Sequence, residues 1–165
     1  MAATPEQLLE YLGRMGIATQ THEHAPAFTV EQARDLRGAI SGGHTKNLFL
    51  RDRRNNLFLL ITLEDARIDL KTVHLIIGAQ GRVSFGSAEL LVEVWGVQPG
   101  SVTPFGAIND REARVKVVLD AAMMTFERLN FHPLINTRTT SISSADLLRF
   151  LHATDHEPLV AGIAA

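Results

Sequence analysis

Apolar and polar positions along this chain switch between helical spacing and the simple alternation of strands. Helices are predicted at residues 5–14, from 30 to Gly38, at 68–76, at 88–95, at 121–128 and from about 144. Strands are predicted at residues 17–24, 47–50, 57–63, 83–85 and 115–119. Helices and strands intermixed in this way predict an α/β (α+β) fold.

Capping signals set two of the helix boundaries. Thr4 and Gln7 form a capping box, and Gly16 ends the first helix. A second capping box at residues 29–32 opens the next helix, which Gly38 is expected to close with a positive φ.

The middle of the chain predicts a hairpin followed by a long loop. Residues 47–50 and 57–63 are joined by a polar turn, and the second strand is apolar on both faces, which predicts a central strand covered by helices. Residues 96–110 hold three glycines and two prolines, which is typical of a functional loop. A polar stretch at 136–141 precedes the last helix, and the tail after Pro158 is expected to fray.

Length and composition indicate one globular domain over residues 1–165, since 45% of the residues are hydrophobic and 21% charged. The absence of cysteine excludes disulfides, a thiol nucleophile and a thiolate metal site, and it favours a reducing compartment. No leader-like or membrane-length apolar run occurs, so we expect a cytoplasmic protein without a membrane partner. A net charge of -2 argues against coating a nucleic acid and favours a local grip on one end.

Three places put polar groups among apolar elements. The segment His44-Thr45-Lys46-Asn47 stands at the mouth of an apolar strand, where the Lys46 ammonium could hold a phosphate or an oxyanion. A solvated lysine at a strand end is the alternative. The loop at 100–104 runs from Gly100 to Pro104, and its amides could face a ligand, or it could be a plain turn. In the segment 130–136, His132 could carry protons or form a pocket wall, or it could be structural.

Two other kinds of catalytic site find little support. His22 and His24 share a strand face and could bind a metal, but no third ligand is spaced to join them. No serine lies in a Gly-x-Ser-x-Gly nucleophile elbow. We therefore expect no metal and no serine nucleophile.

These three segments and a fourth, residues 26–31, taken in order, resemble the YbaK/prolyl-tRNA synthetase-associated editing domain family. The resemblance spans nearly the whole chain and rests on Pro26-Ala27-Phe28-Thr29-Val30-Glu31, on His44-Thr45-Lys46-Asn47-Leu48-Phe49-Leu50, on residues 100–104 and on residues 130–136. Residues 45–52 and 131–136 look like the branch of free-standing deacylases that clear alanine from proline tRNA.

The resemblance implies one compact domain with a curved mixed sheet flanked by helices, and a pocket for the aminoacylated terminal adenosine. Lys46 matches the essential lysine of the family and His132 its pocket histidine, and we carry both over as catalytic residues. Asn47 is expected to touch the terminal nucleotide. The remaining expected substrate contacts are Phe28, Thr29, Thr45, Gly100, Ser101, Val102, Thr103, Pro104 and Asn136. No cofactor is implied.

The function implied is hydrolysis of mischarged Ala-tRNA(Pro), with tRNA(Pro) as partner and prolyl-tRNA synthetase as a further candidate partner. Water, or the ribose hydroxyl beside the ester, would act in place of a protein nucleophile. This interpretation needs Lys46 and the 100–104 loop to converge on one cavity. Alternatives are a deacylase for cysteine or serine, a module that binds tRNA or a synthetase without catalysis, and a small-molecule-binding protein.

Overall fold

The computed structural model of the protein describes residues 1–26 and 30–165. Its helices are α1 (Pro5–Arg14), α2 (Val30–Ala39), α3 (Val73–Ile77), α4 (Ala88–Trp95) and α5 (Ser144–Ala153). Its strands are β1 (Gln20–Glu23), β2 (Gly43–Arg51), β3 (Leu57–Leu63), β4 (Ser84–Phe85), β5 (Val115–Asp120), β6 (Arg128–Phe131), β7 (Arg138–Ser143) and β8 (Leu159–Ala161). Short 3-10 turns lie at Pro99–Ser101, Pro104–Ile108 and Met123–Thr125.

The strands form one mixed sheet. Seven of them run in the order β1-β7-β6-β2-β3-β5-β8, and β4 pairs with β2 off this path. The pairs β1–β7, β6–β7, β2–β3 and β2–β4 are antiparallel, whereas β2–β6, β3–β5 and β5–β8 are parallel. The predicted α/β class is confirmed, and β3 lies inside the sheet as its two apolar faces predicted.

Alternation along β3 divides the apolar interior into two cores. Leu59 and Ile61 face the first core, which includes Trp95 and side chains from α1, α4 and α5. Leu60 points to the opposite face and packs in the second core with Ile77 of α3. The sheet is therefore covered on both faces, and a side chain on β2 or β3 belongs to one core or the other by its position alone.

The edge of β2 that faces away from β3 is paired only at its two ends. β6 pairs with Gly43 and His44, and β4 pairs with Leu50 and Arg51. Within the described ranges, no strand pairs with residues 45–49 along this edge. β2 and β6 therefore diverge beyond His44, and we call this divergence the fork.

The helix predicted at residues 5–14 is confirmed together with its cap. Thr4 Oγ1 accepts the backbone N–H of Gln7, while the Gln7 side chain accepts the N–H of Thr4. The closure at Gly38 is wrong, because α2 continues through it to Ala39 and Gly38 does not adopt a positive φ. Among the residues described, no helix has both the length and the apolar character needed to cross a membrane.

Two further helix predictions are wrong in extent. The helix predicted at 68–76 shrinks to α3, because Asp69 caps a turn by accepting the backbone N–H of Lys71. The helix predicted at 121–128 is only the 3-10 turn Met123–Thr125, and Arg128 already begins β6.

The second half of the chain holds strands that the pattern did not predict. Most of the polar stretch at 136–141 lies in β7, where the buried Thr140 shares a 2.8 Å hydrogen bond with Thr21 of β1. The expectation of a frayed tail is also wrong. β8 pairs with β5, and Ile163 is buried and donates its N–H to Asp120 Oδ1 at 3.1 Å.

Candidate functional site

The fork places predicted site residues on both of its branches. Thr45 and Asn47 follow the paired start of β2, and His132 follows the end of β6. Thr45 Oγ1 donates to the carbonyl of Asn130 at 2.8 Å, which joins the branches where they begin to separate. Leu134, with a φ of 70°, then turns the second branch. The site predicted from the sequence therefore straddles the point at which the sheet opens.

Asn47 presents both backbone and side-chain groups at the fork. The Phe49 carbonyl accepts the N–H of Gly86 at 3.0 Å on the β4 side, so alternation directs the backbone of Asn47 to the same open edge. Its Oδ1 is buried and has no hydrogen-bond partner in the described part of the chain. A buried acceptor without a partner costs about 1–3 kcal/mol, which a ligand donor would recover.

Lys46 leaves β2 on the face of the second core. Leu48 packs against that core, and Thr62 is the cross-strand partner of Lys46 on β3. The ammonium group donates to the backbone carbonyl of Ala66, and no carboxylate pairs with it among residues 1–26 and 30–165. A half-buried positive charge that has only a neutral carbonyl for a partner is suited to hold an anion.

The first core fixes the loop that contains the Gly-x-x-x-Pro pattern. The indole N–H of Trp95 donates to the carbonyl of Thr103 at 2.6 Å, and Thr103 Oγ1 accepts the N–H of Phe105. Thr103 is fully buried, and Val102 packs against the same core. The loop is therefore held by buried bonds on its inner side.

Gly100 is the point at which this loop meets the branch that follows β6. A Cβ built on Gly100 would lie 3.3 Å from Nδ2 of Asn136. Ser101 and Pro104 are buried on either side of Val102. The structure thus brings the predicted loop and the predicted Asn136 together.

His132 carries its proton on a defined nitrogen. Its Nδ1 lies 2.9 Å from the carbonyl of Arg138, and because a carbonyl only accepts, Nδ1 donates and the neutral ring keeps Nε2 as an acceptor. Burial lowers the pKa of His132, and the charge of nearby His24 lowers that pKa further, against the opposing effect of the Arg138 bond. No described residue bonds to Nε2. The ring therefore offers a hydrogen-bond acceptor near neutral pH.

His24 is a neighbour of the site that the sequence analysis considered only as a metal ligand. Its ring centroid lies 6.4 Å from that of His132, and its Nε2 lies 2.8 Å from Thr139 Oγ1. Its partner His22 is exposed on β1, and the described residues contain no group of three or more histidine or acidic side chains that could hold a metal ion. No spacing in the sequence relates residue 24 to 132, so only the pairing of β1 with β7 could have found this contact.

The structure does not bring all the predicted residues to one face. Val102 packs against the first core, whereas Lys46 projects to the side of the second core, so the two side chains lie on opposite sides of the sheet. A common cavity for Lys46 and the loop stays a prediction. Phe28 and Thr29, the other predicted contacts, lie outside the described residues.

The acceptor Nε2 of His132 should be available at neutral pH. Because burial lowers the pKa of His132 below its ordinary value of 6.5, the ring should take up a second proton only as the pH falls below that value. Any reaction that uses Nε2 as an acceptor should slow over the same range, and a pH profile of its rate measures this. His132→Asn keeps a donor near Nδ1 but cannot titrate, so the variant should be roughly fivefold slower at pH 7 and should lose the acid limb. An unchanged acid limb in the variant would assign the titration to another group.

Comparison with known proteins adds an independent observation. The family model for the aminoacyl-tRNA editing domain matches residues 24–150. The chain is 36% identical over 157 residues to prolyl-tRNA synthetase associated domain-containing protein 1 of Danio rerio, covering 94% of this chain and 85% of that protein. It is 34% identical over 132 residues to the prolyl-tRNA editing protein ProX of Acetoanaerobium sticklandii, covering 79% of this chain and 80% of the relative.

A solved structure shares the fold at low sequence identity. The crystal structure of a candidate trans-editing enzyme for prolyl tRNA synthetase aligns with a TM-score of 0.74 and 17% identity, over 100% of this chain and 99% of the other. The chain belongs to the aminoacyl-tRNA editing domain family. Within that family, the two relatives named above carry names that refer to prolyl-tRNA synthetase and to prolyl-tRNA editing.

Proposed function

We propose that this protein is a trans-editing deacylase that hydrolyses the ester of mischarged Ala-tRNA(Pro). The observation that carries the proposal is the ammonium of Lys46 on β2, which has a backbone carbonyl but no carboxylate as a partner in the described part of the chain. The next residue, Asn47, directs its side chain to the other face of the strand, and its buried Oδ1 has no hydrogen-bond partner there. One group suits an anion and the other a donor, and the terminal nucleotide of an aminoacylated tRNA offers both. Membership in the editing family supports the same substrate class.

The proposed chemistry needs no protein nucleophile. A water oxygen adds to the ester carbonyl carbon, and the bond between that carbon and the ribose oxygen breaks. One water proton ends on the ribose oxygen, which leaves free alanine and a tRNA with both terminal hydroxyls. Lys46 anchors the nucleotide and Nε2 of His132 accepts a hydrogen bond from the substrate, while the loop amides hold the aminoacyl group in line. The ribose hydroxyl beside the ester is available to relay the proton.

Discrimination between alanine and proline follows from size. A synthetase pocket shaped for proline rejects alanine poorly, because each missing methylene is worth only about 1–3 kcal/mol. In this proposal Val102 and Phe28 wall a second pocket that admits a methyl group and excludes the pyrrolidine ring by steric clash. The reaction is assigned to the cytoplasm, and prolyl-tRNA synthetase is a candidate partner because relatives carry its name.

A panel of aminoacylated tRNAs tests the proposal. Purified protein is incubated with Ala-, Ser-, Cys- and Pro-tRNA(Pro) and with Ala-tRNA(Ala), and loss of the aminoacyl group is followed over time. Ala-tRNA(Pro) should be hydrolysed roughly 10- to 200-fold faster than Pro-tRNA(Pro). Faster release of serine or cysteine would replace the assigned amino acid, and the absence of acceleration for every ester would overturn the deacylase assignment.

A further inference from the structure

The segment that follows β8 reaches the loop that holds Lys46. We call residues 162–165 the β8 extension. The backbone N–H of Ala165 donates to the carbonyl of Arg67 at 2.6 Å. The preceding carbonyl, that of Ala66, is the one that accepts the ammonium of Lys46. Two adjacent peptide groups therefore connect the β8 extension with the positive charge at the candidate site.

The β8 extension is anchored in the interior before it reaches this loop. Ile163 is 2% exposed and belongs to the second core, which also contains Leu50 and Leu60. Its N–H donates at 3.1 Å to Oδ1 of Asp120, which is itself buried at the end of β5. An apolar side chain and a buried hydrogen bond thus fix the extension two residues before Ala165.

The loop after β3 is held at its two ends by different elements. We call residues 64–67 the β3 loop. At its start, the N–H of Glu64 donates to the carbonyl of His44 at 2.9 Å. At its end, the bond from Ala165 is the only backbone hydrogen bond to Arg67 among the residues that the structure describes. The far end of the β3 loop therefore depends on the β8 extension.

The carbonyl of Ala66 determines where the charge of Lys46 lies. A lysine side chain is flexible, and ordering it costs rotamer entropy. One ammonium N–H of Lys46 donates to Ala66, and the others remain available to a ligand. A shift of this carbonyl would therefore move the ammonium or release it to solvent.

The β8 extension and Lys46 lie on the same side of the sheet. Ile163 belongs to the second core, and Lys46 leaves β2 towards that core beside Leu48. Val102 of the Gly-x-x-x-Pro loop packs against the first core on the other side. A change in the extension can thus reach Lys46 through the β3 loop without passing through the sheet.

We infer that the β8 extension is a positioning element for Lys46, which holds the β3 loop and, through the carbonyl of Ala66, keeps the ammonium in place for the substrate. This inference rests on the proposed function, since it takes Lys46 as the group that anchors the nucleotide. Ile163 and the N–H of Ala165 act through another residue and need not contact the substrate. Such a support is useful because a donor stabilises developing charge best when it is already in place.

Acylation of the lysines by an N-hydroxysuccinimide ester of acetate tests the inference without relying on catalysis. The lysines of this chain are Lys46, Lys71 and Lys116, and mass spectrometry of peptides follows each of them. Ile163→Ala should raise the acylation rate of Lys46 roughly 3- to 10-fold, the factor that corresponds to the loss of one hydrogen bond. The rate at the exposed Lys71 should stay the same.

Ile77→Ala is the matched control. Ile77 is fully buried in the second core but lies in α3, and no hydrogen bond within the described part of the chain joins it to the β3 loop. The variant loses the same side-chain atoms as Ile163→Ala and should leave acylation of Lys46 unchanged. Equal increases in both variants would indicate a general loosening of the second core and contradict the inference. Thermal unfolding verifies that both variants fold.

A second variant removes only the hydrogen bond. Ala165→Pro lacks the N–H that Arg67 accepts and leaves Ile163 in the core, so it also decides the question if Ile163→Ala does not fold. Ala165→Ser keeps the N–H. The proline variant should raise acylation of Lys46, and the serine variant should not. Native acylation of Lys46 in Ala165→Pro would show that the extension does not position this side chain.

Deacylation of Ala-tRNA(Pro) by the same variants tests the consequence for the site. Ile163→Ala should lower kcat/KM roughly 3- to 10-fold when Lys46 is present. In a Lys46→Ala background it should cause no further loss, because its effect passes through the ammonium. An equal loss in both backgrounds would assign the effect to overall stability and overturn the inference.

The two measurements keep the proposals apart. Native acylation of Lys46 in the extension variants, together with hydrolysis of Ala-tRNA(Pro) by the native protein, would remove the inference and leave the proposed function standing. Faster acylation of Lys46 in these variants, with no hydrolysis of any ester by the native protein, would do the reverse: the link between the β8 extension and Lys46 would hold, and the deacylase assignment would fail.

Discussion

Replacing Lys46 with alanine should lower kcat/KM for Ala-tRNA(Pro) roughly 100- to 1,000-fold, the range seen when one preorganised charge-stabilising donor is removed from an active site. The ammonium of Lys46 is half-buried and has only the carbonyl of Ala66 as a protein partner, so its charge is available to the substrate. Alanine removes that charge and leaves the strand pairing with Thr62 intact. Single-turnover deacylation measures the loss.

Lys116 provides the matched control for this change. Its ammonium also donates to a backbone carbonyl, that of Ile77, at 3.0 Å. Lys116 pairs with Phe58 near the start of β3, whereas Lys46 pairs with Thr62 near its end. Lys116→Ala should therefore hydrolyse Ala-tRNA(Pro) at close to the native rate, whereas Lys46→Arg should recover part of the activity because it restores the charge. Native activity in Lys46→Ala would remove Lys46 from the mechanism.

Replacing Asp110 with asparagine should lower the free energy of unfolding by about 3–5 kcal/mol, the cost of breaking a buried pair from one side. Oδ2 of Asp110 lies 2.8 Å from Nε2 of His156, and the two side chains are 2% and 0% exposed. The same carboxylate accepts the N–H groups of Arg114 and Val115. The melting temperature should fall by roughly 6–20 °C, and Trp95, the only tryptophan, reports the transition from beside His156.

The effect of Asp110 should depend on pH in a definite direction. Burial raises the pKa of Asp110, but hydrogen bonds from His156, Val115 and Arg114 outweigh it and hold the pKa below its ordinary value of 3.8. A lowered folded-state pKa stabilises the protein above the unfolded-state pKa, and this contribution is lost as the pH falls through the folded-state pKa. The stability difference between native protein and Asp110→Asn should therefore be constant near neutrality and shrink below about pH 4.

A surface pair of the same chemistry is the control. Nδ1 of His152 lies 2.8 Å from Glu157, but both side chains are more than three-quarters exposed. Glu157→Gln should leave the urea-unfolding midpoint nearly unchanged, because exposed ion pairs contribute little. A midpoint shift in Asp110→Asn no larger than that in Glu157→Gln would show that burial of the pair does not matter.

Elements with strong local signals could be predicted from the sequence. The capping box at Thr4 fixed α1, and the doubly apolar run fixed β3 as an inner strand. The helix at 88–95 also agrees with α4, whose Ser87 caps its start and Gly96 its end. In each case neighbouring residues determine the outcome, so periodicity and capping suffice.

Elements that depend on distant partners could not be predicted in this way. β7 is rich in threonine and serine, and only its pairing with β1 and β6 makes it a strand. β8 is three residues long and exists because β5 offers a parallel edge, which no local pattern announces. Tertiary pairing overrides local preference in both strands.

In the candidate site, too, local motifs predicted some features, whereas others depend on tertiary structure. The order of the motifs in the sequence predicted Lys46, Asn47 and the loop residues as site residues. The structure adds that Gly100 lies close to Asn136. The sequence did not reveal that Lys46 and the loop flank the sheet from different sides, because that follows from strand alternation relative to two separate cores. The neighbour His24 likewise depends on β1–β7 pairing.

The backbone of Asn47 faces the open edge of β2 between β6 and β4. A ligand bound at this edge would therefore contact main-chain groups as well as side chains. Every residue except proline carries the same backbone N–H and C=O groups, so a substitution by any other residue leaves them in place while the strand keeps its path. Evolution can then change the flanking side chains, and with them the molecule that fits, without inventing a new way of holding it. The unpaired edge of β2 thus offers the same backbone hydrogen-bonding groups to different ligands.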